Sequence, residues 1–295
     1  MSSSSSGVGI IGVGAMGFAL LQLLLDAGFA VSAFDPSPTA REQASTVGAT
    51  CLPDAKAVFT MDAPVITCLP NTQAFLSTIE EAISAGRRTK PVIETSTLDP
   101  SVKEGARRRL LETGAELLDC PLSGTSAQAR NRDLVVFASG SPTGLASCKA
   151  IFTAIARTTI QAGDFGMGMR LKLLANHLVG IHTAAAAEVL MLARKVELDP
   201  IVALQALTAS AGSSRMLEVR GKLMAEHKYL PATGNIDIII KDGGMITDLA
   251  QQTGCTLPLF SRALELFQCA LATGLGNHDM AALHEYLLEN PGTLT

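Results

Sequence analysis

A glycine-rich segment near the start of the chain limits the possible folds more than any other feature. It follows an apolar run at residues 8–11, precedes a helical pattern at residues 18–25 and matches Gly-x-Gly-x-x-Gly. Its members are Gly12, Val13, Gly14, Ala15, Met16 and Gly17. In a dinucleotide-binding βαβ unit the first glycine permits a tight turn, the second lets the backbone approach a pyrophosphate, and the third lets helix and strand pack closely. The segment and its setting therefore predict a dinucleotide site.

Apolar runs alternate with helical patterns through the first half of the chain, and the pattern changes near residue 163. Further strand patterns occupy residues 31–34, 65–69, 91–95, 116–119 and 134–138. Apolar strands alternating with helices predict an α/β fold with a mainly parallel, doubly wound Rossmann sheet. From residue 164 the patterns are helical, beginning with a long helix over about 167–195. We predict an NAD(P)-binding Rossmann domain over 1–163 and an all-helical substrate domain over 164–295, joined by that helix.

Asp35 ends the second predicted strand, 18 residues after Gly17. A carboxylate at this place accepts hydrogen bonds from the adenosine ribose and repels the 2′-phosphate of NADP. Arg41 is the nearest basic residue, and it offers the route by which NADP would still bind. We expect NAD as the cofactor, with NADP as the alternative.

Lys172 and Asn176 lie four residues apart in the long helix, hence on one face, among apolar neighbours. A partly desolvated lysine has a lowered pKa and exchanges a proton with a substrate hydroxyl, which the asparagine would hold. From the pattern alone, a lysine stretched toward solvent and a solvated asparagine explain the spacing equally well. The pair is therefore a candidate catalytic pair with an ordinary surface alternative.

The segment from Asp119 to Ser126 follows a predicted strand and contains Ser123, Gly124 and Thr125. Small hydroxyl residues around a glycine expose backbone N–H groups that suit an anion such as a carboxylate. Taken alone, the segment is more simply explained as an ordinary turn.

Composition excludes several other functions. The net charge of -4 argues against a nucleic-acid or membrane-surface partner, and no apolar run of about 18 residues predicts a membrane span. The six cysteines form no Cys-x-x-Cys pair, and no histidines accompany them at zinc spacing, so we expect no metal. Reduced thiols, and an N-terminus without the basic residues of a signal peptide, favour the cytoplasm.

In the order of its motifs, the chain resembles the 3-hydroxyisobutyrate (β-hydroxyacid) dehydrogenase family from residue 8 to about residue 288. The shared features are the glycine loop with Met16, a Leu-Pro pair after a strand, Ser-Thr after the next strand, Asp-x-Pro-x-Ser-Gly, Lys with Asn four residues later, and a late Lys-Asp. In this chain they are Leu69-Pro70, Ser96-Thr97, the segment from Asp119 to Gly124, Lys172 with Asn176, and Lys241-Asp242.

The resemblance implies a role for each matched residue. Gly12 to Gly17 and Asp35 would hold the adenosine diphosphate. Leu69, Pro70, Thr97 and Lys241 would line the rest of the cofactor site. Ser123, Gly124 and Thr125 would receive the substrate carboxylate, Lys172 would be the general acid/base, and Asn176 would position the substrate. The family fold also implies a homodimer or homotetramer formed through the helical domain.

The chain departs from the family pattern at several positions. Thr125 replaces a second glycine, Ala175 replaces a frequent asparagine, and Gly243 stands where leucine is common. The residues around Lys172 are most similar to the threonate-type, sugar-acid branch. The expected activity is therefore hydride transfer between NAD(P) and a 3-hydroxy acid, such as 3-hydroxyisobutyrate or threonate. A reductase of semialdehyde acids or imines, and a non-catalytic cofactor-binding scaffold, are the alternatives.

Overall fold

A computed structural model gives the structure of residues 6–292. Along the chain it divides into two compact units, one ending at Lys172 and one beginning at Leu173. The opening residues 1–5, where the sequence predicts no signal peptide, lie outside the described range.

A mainly parallel sheet forms the centre of the first unit. Its strands are β1 Gly7–Ile11, β2 Ala30–Phe34, β3 Thr50–Cys51, β4 Val65–Thr67, β5 Val92–Glu94, β6 Leu117–Asp119, β7 Leu122–Ser123, β8 Val135–Ser139 and β9 Thr158–Gly163. The order is β3-β2-β1-β4-β5-β6-β8-β7, with β9 beside β8. The six strands from β3 to β6 in this order are parallel, whereas β8 is antiparallel to β6 and β7. This arrangement confirms the predicted Rossmann fold.

Helices connect these strands, and separate apolar cores lie in the unit. The helices are α1 Ala15–Asp26, α2 Pro38–Thr46, α3 Ala55–Phe59, α4 Thr72–Ser84, α5 Pro100–Leu111, α6 Ser126–Arg130, α7 Pro142–Ser147 and α8 Lys149–Ile155. One core joins β1 and β2 residues to α1 and α8, and another joins strand residues to α3, α4 and α5. Side-chain caps start several helices; Asn71, for example, accepts the N–H of Ala74 at 2.9 Å and thereby begins α4 directly after β4.

A bundle of helices with its own apolar core forms the second unit. The long helix α9 spans Met167–Lys195, as the sequence predicts, and the division between the units falls within it. The others are α10 Pro200–Thr208, α11 Arg215–Glu226, α12 Ile236–Thr253, α13 Pro258–Ala270 and α14 Leu283–Glu289, with a π-turn at Leu271–Leu275 and a 3₁₀ turn at Met280–Ala282.

Helix α9 is also the one described helix with the length and apolar composition to cross a membrane. However, 44% of its most apolar 18-residue stretch is buried inside the protein. A core helix with apolar residues on most of its circumference has the same composition.

Candidate active site

The three motif glycines occupy three different environments. Gly12 has φ +90°, and a Cβ built on it would lie 2.2 Å from the carbonyl oxygen of Cys68. A Cβ on Gly17 would lie 1.9 Å from the carbonyl oxygen of Gly12, so these two positions require glycine for close backbone packing. Gly14, the N-cap residue of α1, is exposed, and a Cβ there would meet no atom of the described part of the chain within 4 Å. The absence of a side chain at Gly14 keeps open the space in front of the helix N-terminus. A bound pyrophosphate would fit in this space.

Asp35 holds this loop in place. One of its carboxylate oxygens accepts the N–H of Val13 at 2.7 Å, and the other accepts the N–H of Ser37 at 2.8 Å. Arg41 turns back toward the same strand end and donates to the carbonyl oxygens of Asp35 and Pro36 at 2.6 and 3.0 Å. The sequence predicts the position of Asp35 but not its bond to the glycine loop. Arg41, the cation that would attract the 2′-phosphate of NADP, therefore lies next to Asp35, the carboxylate that would repel that phosphate.

A cleft of about 610 Å³ opens beside the glycine loop, within the range of small-molecule sites. Its lining includes the predicted Gly12, Gly14, Ala15, Met16, Gly17, Asp35, Leu69 and Pro70. Val13 is buried behind the loop, and Thr97 and Lys241 are not part of this lining. Sequence reasoning missed other lining residues, among them Phe34, Pro36, Asp54, Ser77, Thr78 and Glu81. Only their places at the end of β2, after β3 and along α4 would have indicated them.

Cys68 also lines the cleft. Burial raises the pKa of its thiol to about 11, although a hydrogen bond with Thr95 opposes the shift. The thiol is therefore protonated at neutral pH and is no nucleophile.

The ends of β4 and β5 are tied together beside the cleft. Ser96 Oγ accepts the N–H of Leu69 at 2.8 Å, and Glu94 accepts the N–H of Ser96 at 2.6 Å. These bonds place the half-buried Thr97 one residue beyond the tether. The Leu-Pro and Ser-Thr motifs therefore meet at the carboxyl edge of the sheet, where ligands bind in open α/β folds.

Strand β7 and the turn after it contain the three predicted carboxylate-binding residues, Ser123, Gly124 and Thr125. Gly124 has φ +132°, a conformation that favours glycine. Thr125 begins α6 with a capping box: its hydroxyl accepts the N–H of Gln128 at 3.2 Å, and its own N–H donates to Gln128 Oε1 at 3.0 Å. The Thr125 amide is thus engaged inside the loop, in contrast to the exposed donors that the sequence pattern predicts. Gln128 is a further residue that sequence reasoning missed.

A buried polar network fixes the first turn of α9. Asp119, at the end of β6, accepts from Lys103 Nζ and from the N–H of Met169, both at 2.8 Å. Ser139 Oγ donates to the Asp119 carbonyl oxygen at 2.9 Å and accepts the N–H of Gly168 at 3.0 Å. Lys172 follows within the next turn and is half-buried. The ends of β6 and β8 therefore also set the position of the candidate general acid/base.

In the helical unit, Asn176 is 8% exposed and donates through Nδ2 to Asp242 Oδ2 at 2.6 Å. Burial excludes the interpretation of Asn176 as a solvated surface residue. Asp242 is itself buried, and Lys241 Nζ lies 3.4 Å from its other oxygen. The Lys-Asp motif thus supplies the partner that orients the Asn176 amide, a contact between residues 66 positions apart that spacing does not reveal.

A glycine cradle at a helix N-terminus, a carboxylate after β2 and a cleft at the edge of a Rossmann sheet define an NAD(P)-binding dehydrogenase domain. Residues 7–163 match the family described as the NAD binding domain of 6-phosphogluconate dehydrogenase. Residues 166–287 match the one described as NAD-binding of NADP-dependent 3-hydroxyisobutyrate dehydrogenase.

Full-length relatives agree with these matches. L-Threonate dehydrogenase of Cupriavidus necator is 34% identical over 98% of this chain and 99% of that enzyme. Mitochondrial 3-hydroxyisobutyrate dehydrogenase of Drosophila melanogaster is 25% identical over 95% of this chain and 89% of that enzyme. The crystal structure of 3-hydroxyisobutyrate dehydrogenase from Salmonella typhimurium has a TM-score of 0.87 at 27% identity, covering 96% of this chain and 100% of that one.

The chain therefore belongs to the 3-hydroxyisobutyrate (β-hydroxyacid) dehydrogenase family. As in the family, it is an NAD(P)-dependent hydroxyacid dehydrogenase that acts on CH–OH donors. This confirms the class of activity that the sequence predicts.

Proposed function

We propose that the chain oxidises a 3-hydroxy acid of the sugar-acid type, such as threonate, with Lys172 as general acid/base. The observation that carries this proposal is the Asp119 network, because it links the substrate loop to the first turn of the helix that bears Lys172. Both elements belong to the unit that contains the nucleotide cleft.

Each residue then has a defined task. When bound, the NAD cofactor would supply the acceptor for the hydride of the hydroxyl-bearing carbon. Lys172 Nζ removes the hydroxyl proton as the C–O bond becomes a carbonyl, and it returns that proton in the reverse direction. Ser123 and Gly124 bind the substrate carboxylate, and Asn176, oriented by Asp242, positions the substrate. The carboxylate is thereby held at a fixed distance from Lys172. This distance selects acids whose hydroxyl group, on the third carbon, reaches the lysine.

The substrate proposal rests on the relatives and on the loop. The 34% identical relative is named an L-threonate dehydrogenase, whereas the 25% identical one is named for 3-hydroxyisobutyrate. Thr125, in place of the family glycine, adds a capping hydroxyl and engages its own amide. Both observations favour a hydroxy acid other than 3-hydroxyisobutyrate itself.

We also propose NAD as the preferred cofactor. The Asp35 carboxylate lies at the end of β2, and Arg41 is committed to the neighbouring carbonyl oxygens. Lys241 and Thr97 are proposed to contact the part of the cofactor beyond the described cleft. Initial rates with each cofactor test the preference; a higher kcat/KM with NADP would contradict it.

Lys172→Ala tests the assignment of the general acid/base. We expect kcat to fall by about two to four orders of magnitude, as for a lost general acid/base, while NADH binding is retained. Lys195→Ala, an exposed lysine at the end of the same helix, is the matched control and should keep normal turnover. Turnover within about threefold of wild type in Lys172→Ala would refute the role.

A substrate panel separates the proposed activity from its alternatives. NAD reduction is measured with L-threonate, 3-hydroxyisobutyrate and other 3-hydroxy acids, and NADH consumption with semialdehyde acids and cyclic imines. Oxidation of sugar acids supports the proposal. Activity confined to aldehyde or imine reduction indicates a reductase, and NADH binding without turnover on any compound indicates a scaffold.

Finally, we propose a cytoplasmic homodimer that pairs through the helical domain, residues 164–295, leaving residues 1–163 as the cofactor domain. Leu174, Leu178 and Leu192 of α9 are each at least half exposed and fall on one stripe, because residues 174 and 192 are five turns apart. A stripe of this kind is typical of an interface. The free cysteines, two of them buried, suit a reducing compartment.

Sedimentation of Leu192→Glu tests the pairing. A charge within the stripe should convert a dimer into monomers, because burying an unpaired carboxylate is unfavourable. Leu259→Glu, at a position 70% exposed on α13, should leave the mass unchanged. A monomeric wild type, or a Leu192→Glu dimer as tight as wild type, contradicts the proposal.

A further inference from the structure

Two histidines, a glutamate and a tyrosine form a cluster in the helical unit, and none of them has a role in the site described above. His227 is the C-cap residue of α11, and His284 and Glu285 lie on α14. A ring nitrogen from each histidine and a Glu285 oxygen all lie within 4.8 Å of one another. His227 Nδ1 is 2.6 Å from Glu285 Oε2, although the two residues are 58 positions apart.

Burial differs across the cluster. His284 is fully buried, Glu285 is half-buried and His227 is exposed.

A buried nitrogen in the cluster lacks a partner. Among the described residues, nothing makes a hydrogen bond to His284 Nε2. The Tyr229 hydroxyl donates to Glu285 Oε2 at 3.1 Å, and it also lies 3.2 Å from His284 Nδ1. Buried polar atoms normally have partners, so an unpaired nitrogen on an imidazole of this cluster points to a missing ligand. The tyrosine, which orients both groups, resembles the hydrogen-bonding residues that surround metal ligands.

We propose that His227, His284 and Glu285 bind a divalent transition metal of the zinc type and thereby clamp the end of α11 to α14. Two imidazoles and a carboxylate are the protein ligands of many zinc sites with an open fourth position. Magnesium and calcium favour sites made of oxygen ligands, whereas this set supplies two imidazoles and one carboxylate. The site therefore selects Zn²⁺, Co²⁺ or Ni²⁺ over Mg²⁺ and Ca²⁺.

The test is a Co²⁺ titration of the untagged protein after treatment with a chelator. We expect one Co²⁺ per chain, with the visible bands of a nitrogen and oxygen site and without the near-ultraviolet charge-transfer band of thiolates. That band would instead identify a site at a cysteine such as the exposed Cys255 or Cys269. Excess Mg²⁺ should leave the bound Co²⁺ in place, and Zn²⁺ should displace it.

Variants locate the site. His227→Asn, chosen because asparagine tolerates the φ of 52° at this residue, and Glu285→Gln should each weaken Co²⁺ binding about tenfold or more. Glu226→Gln, a neighbouring carboxylate that binds Lys228 instead, should bind as wild type does. Circular dichroism checks folding, and if Glu285→Gln does not fold, the exposed His227 decides the test. Absence of Co²⁺ binding, a thiolate spectrum, or wild-type affinity in the ligand variants would overturn the proposal.

Discussion

Gln128 bridges two parts of the loop that we assign to the substrate carboxylate. Its Oε1 accepts the Thr125 N–H, and its Nε2 donates to Asp133 Oδ2 at 3.2 Å. Arg157 holds the other Asp133 oxygen at 3.0 Å. The loop that has Thr125 in place of the family glycine is therefore braced by side-chain hydrogen bonds.

Gln128→Ala should raise KM for the hydroxy acid about fivefold while leaving KM for the cofactor unchanged. The substitution removes one half of the capping box, which is worth roughly 1 kcal/mol, and this energy corresponds to about a fivefold change in an equilibrium constant. Steady-state kinetics with each substrate varied in turn provide the measurement. Gln161→Ala on the exposed face of β9 is the control. A lower KM would instead mean that the freed Thr125 amide improves anion binding.

At this scale the sequence predicts residue positions better than residue contacts. The spacing locates Asp35, Lys172 and Asn176, because a motif and a helical turn are local patterns. It cannot reveal that Asn176 binds Asp242, since that pair forms only after distant segments have packed. The two histidines of the proposed metal site also come together only after distant segments have packed, so their spacing in the sequence matches no recognisable pattern.

Among the elements, α9 depends on the end of β6 and β8 for its starting point. Only glycine fits at position 168 against this edge, because a Cβ there would lie 2.3 Å from the carbonyl oxygen of Phe137 and would clash with it. Its N–H and that of Met169 are then bound by Ser139 and Asp119. Two of the backbone donors that a helix start leaves unpaired are thus satisfied inside the first unit.

Ser139→Ala tests whether this attachment positions Lys172. The change leaves the Gly168 N–H unpaired in a buried place, which should lower the free energy of unfolding by about 1–3 kcal/mol. We also expect kcat to fall about tenfold, with KM for NAD unchanged, because small displacements of a catalytic group are costly. Ser147→Ala on α7 removes a hydroxyl that binds the Gly144 carbonyl oxygen and is the matched control. A loss of stability with normal kcat would show that the contact is structural alone.

The elements themselves follow from the sequence to different degrees. The bounds of α9 match the prediction, since a long run of good helix formers has few competing conformations. No sequence pattern indicated β3, β7 and β9, because β3 and β7 are two residues long and Thr158–Gly163 is polar and partly exposed. Short or exposed strands depend on their neighbours in the sheet and lack a pattern of their own.

For the molecule as a whole, the two compact units differ in their content of fluorescent side chains. The chain has no tryptophan and two tyrosines, and both Tyr229 and Tyr286 lie in the helical unit. Tyrosine fluorescence therefore follows unfolding of that unit alone, whereas circular dichroism follows both. The fold class of each unit is predictable from the sequence, because the glycine motif and the helical periodicity extend over whole segments.

Asp279→Asn should destabilise the helical unit by about 3–5 kcal/mol, because it leaves the buried Arg220 without its carboxylate partner at 3.0 Å. Urea unfolding followed by tyrosine fluorescence is the measurement. Asp248→Asn, at an exposed position on α12, should have little effect. If both variants unfold at the same urea concentration, the pair does not contribute as proposed.

The same residue determines how the helical unit responds to acid. Burial raises the pKa of Asp279, but Arg220 and hydrogen bonds from Ala281 and Thr233 outweigh it, so the pKa lies below 3.8. Its stabilising contribution is thus complete above the pKa of an unfolded aspartate and is lost as pH falls through the lower, folded value. The stability difference between wild type and Asp279→Asn should therefore shrink below about pH 3.8.

The different surroundings of the three motif glycines also affect how the chain can evolve. Substitutions at Gly12 or Gly17 meet backbone atoms and disturb the fold, so selection for a stable protein is enough to remove them. A Cβ added at Gly14 meets no atom of residues 6–292 within 4 Å, so the need to bind a dinucleotide is what opposes a substitution there. In a descendant that kept the fold but abandoned catalysis, Gly14 would drift first, and its loss would mark that lineage before any change in stability.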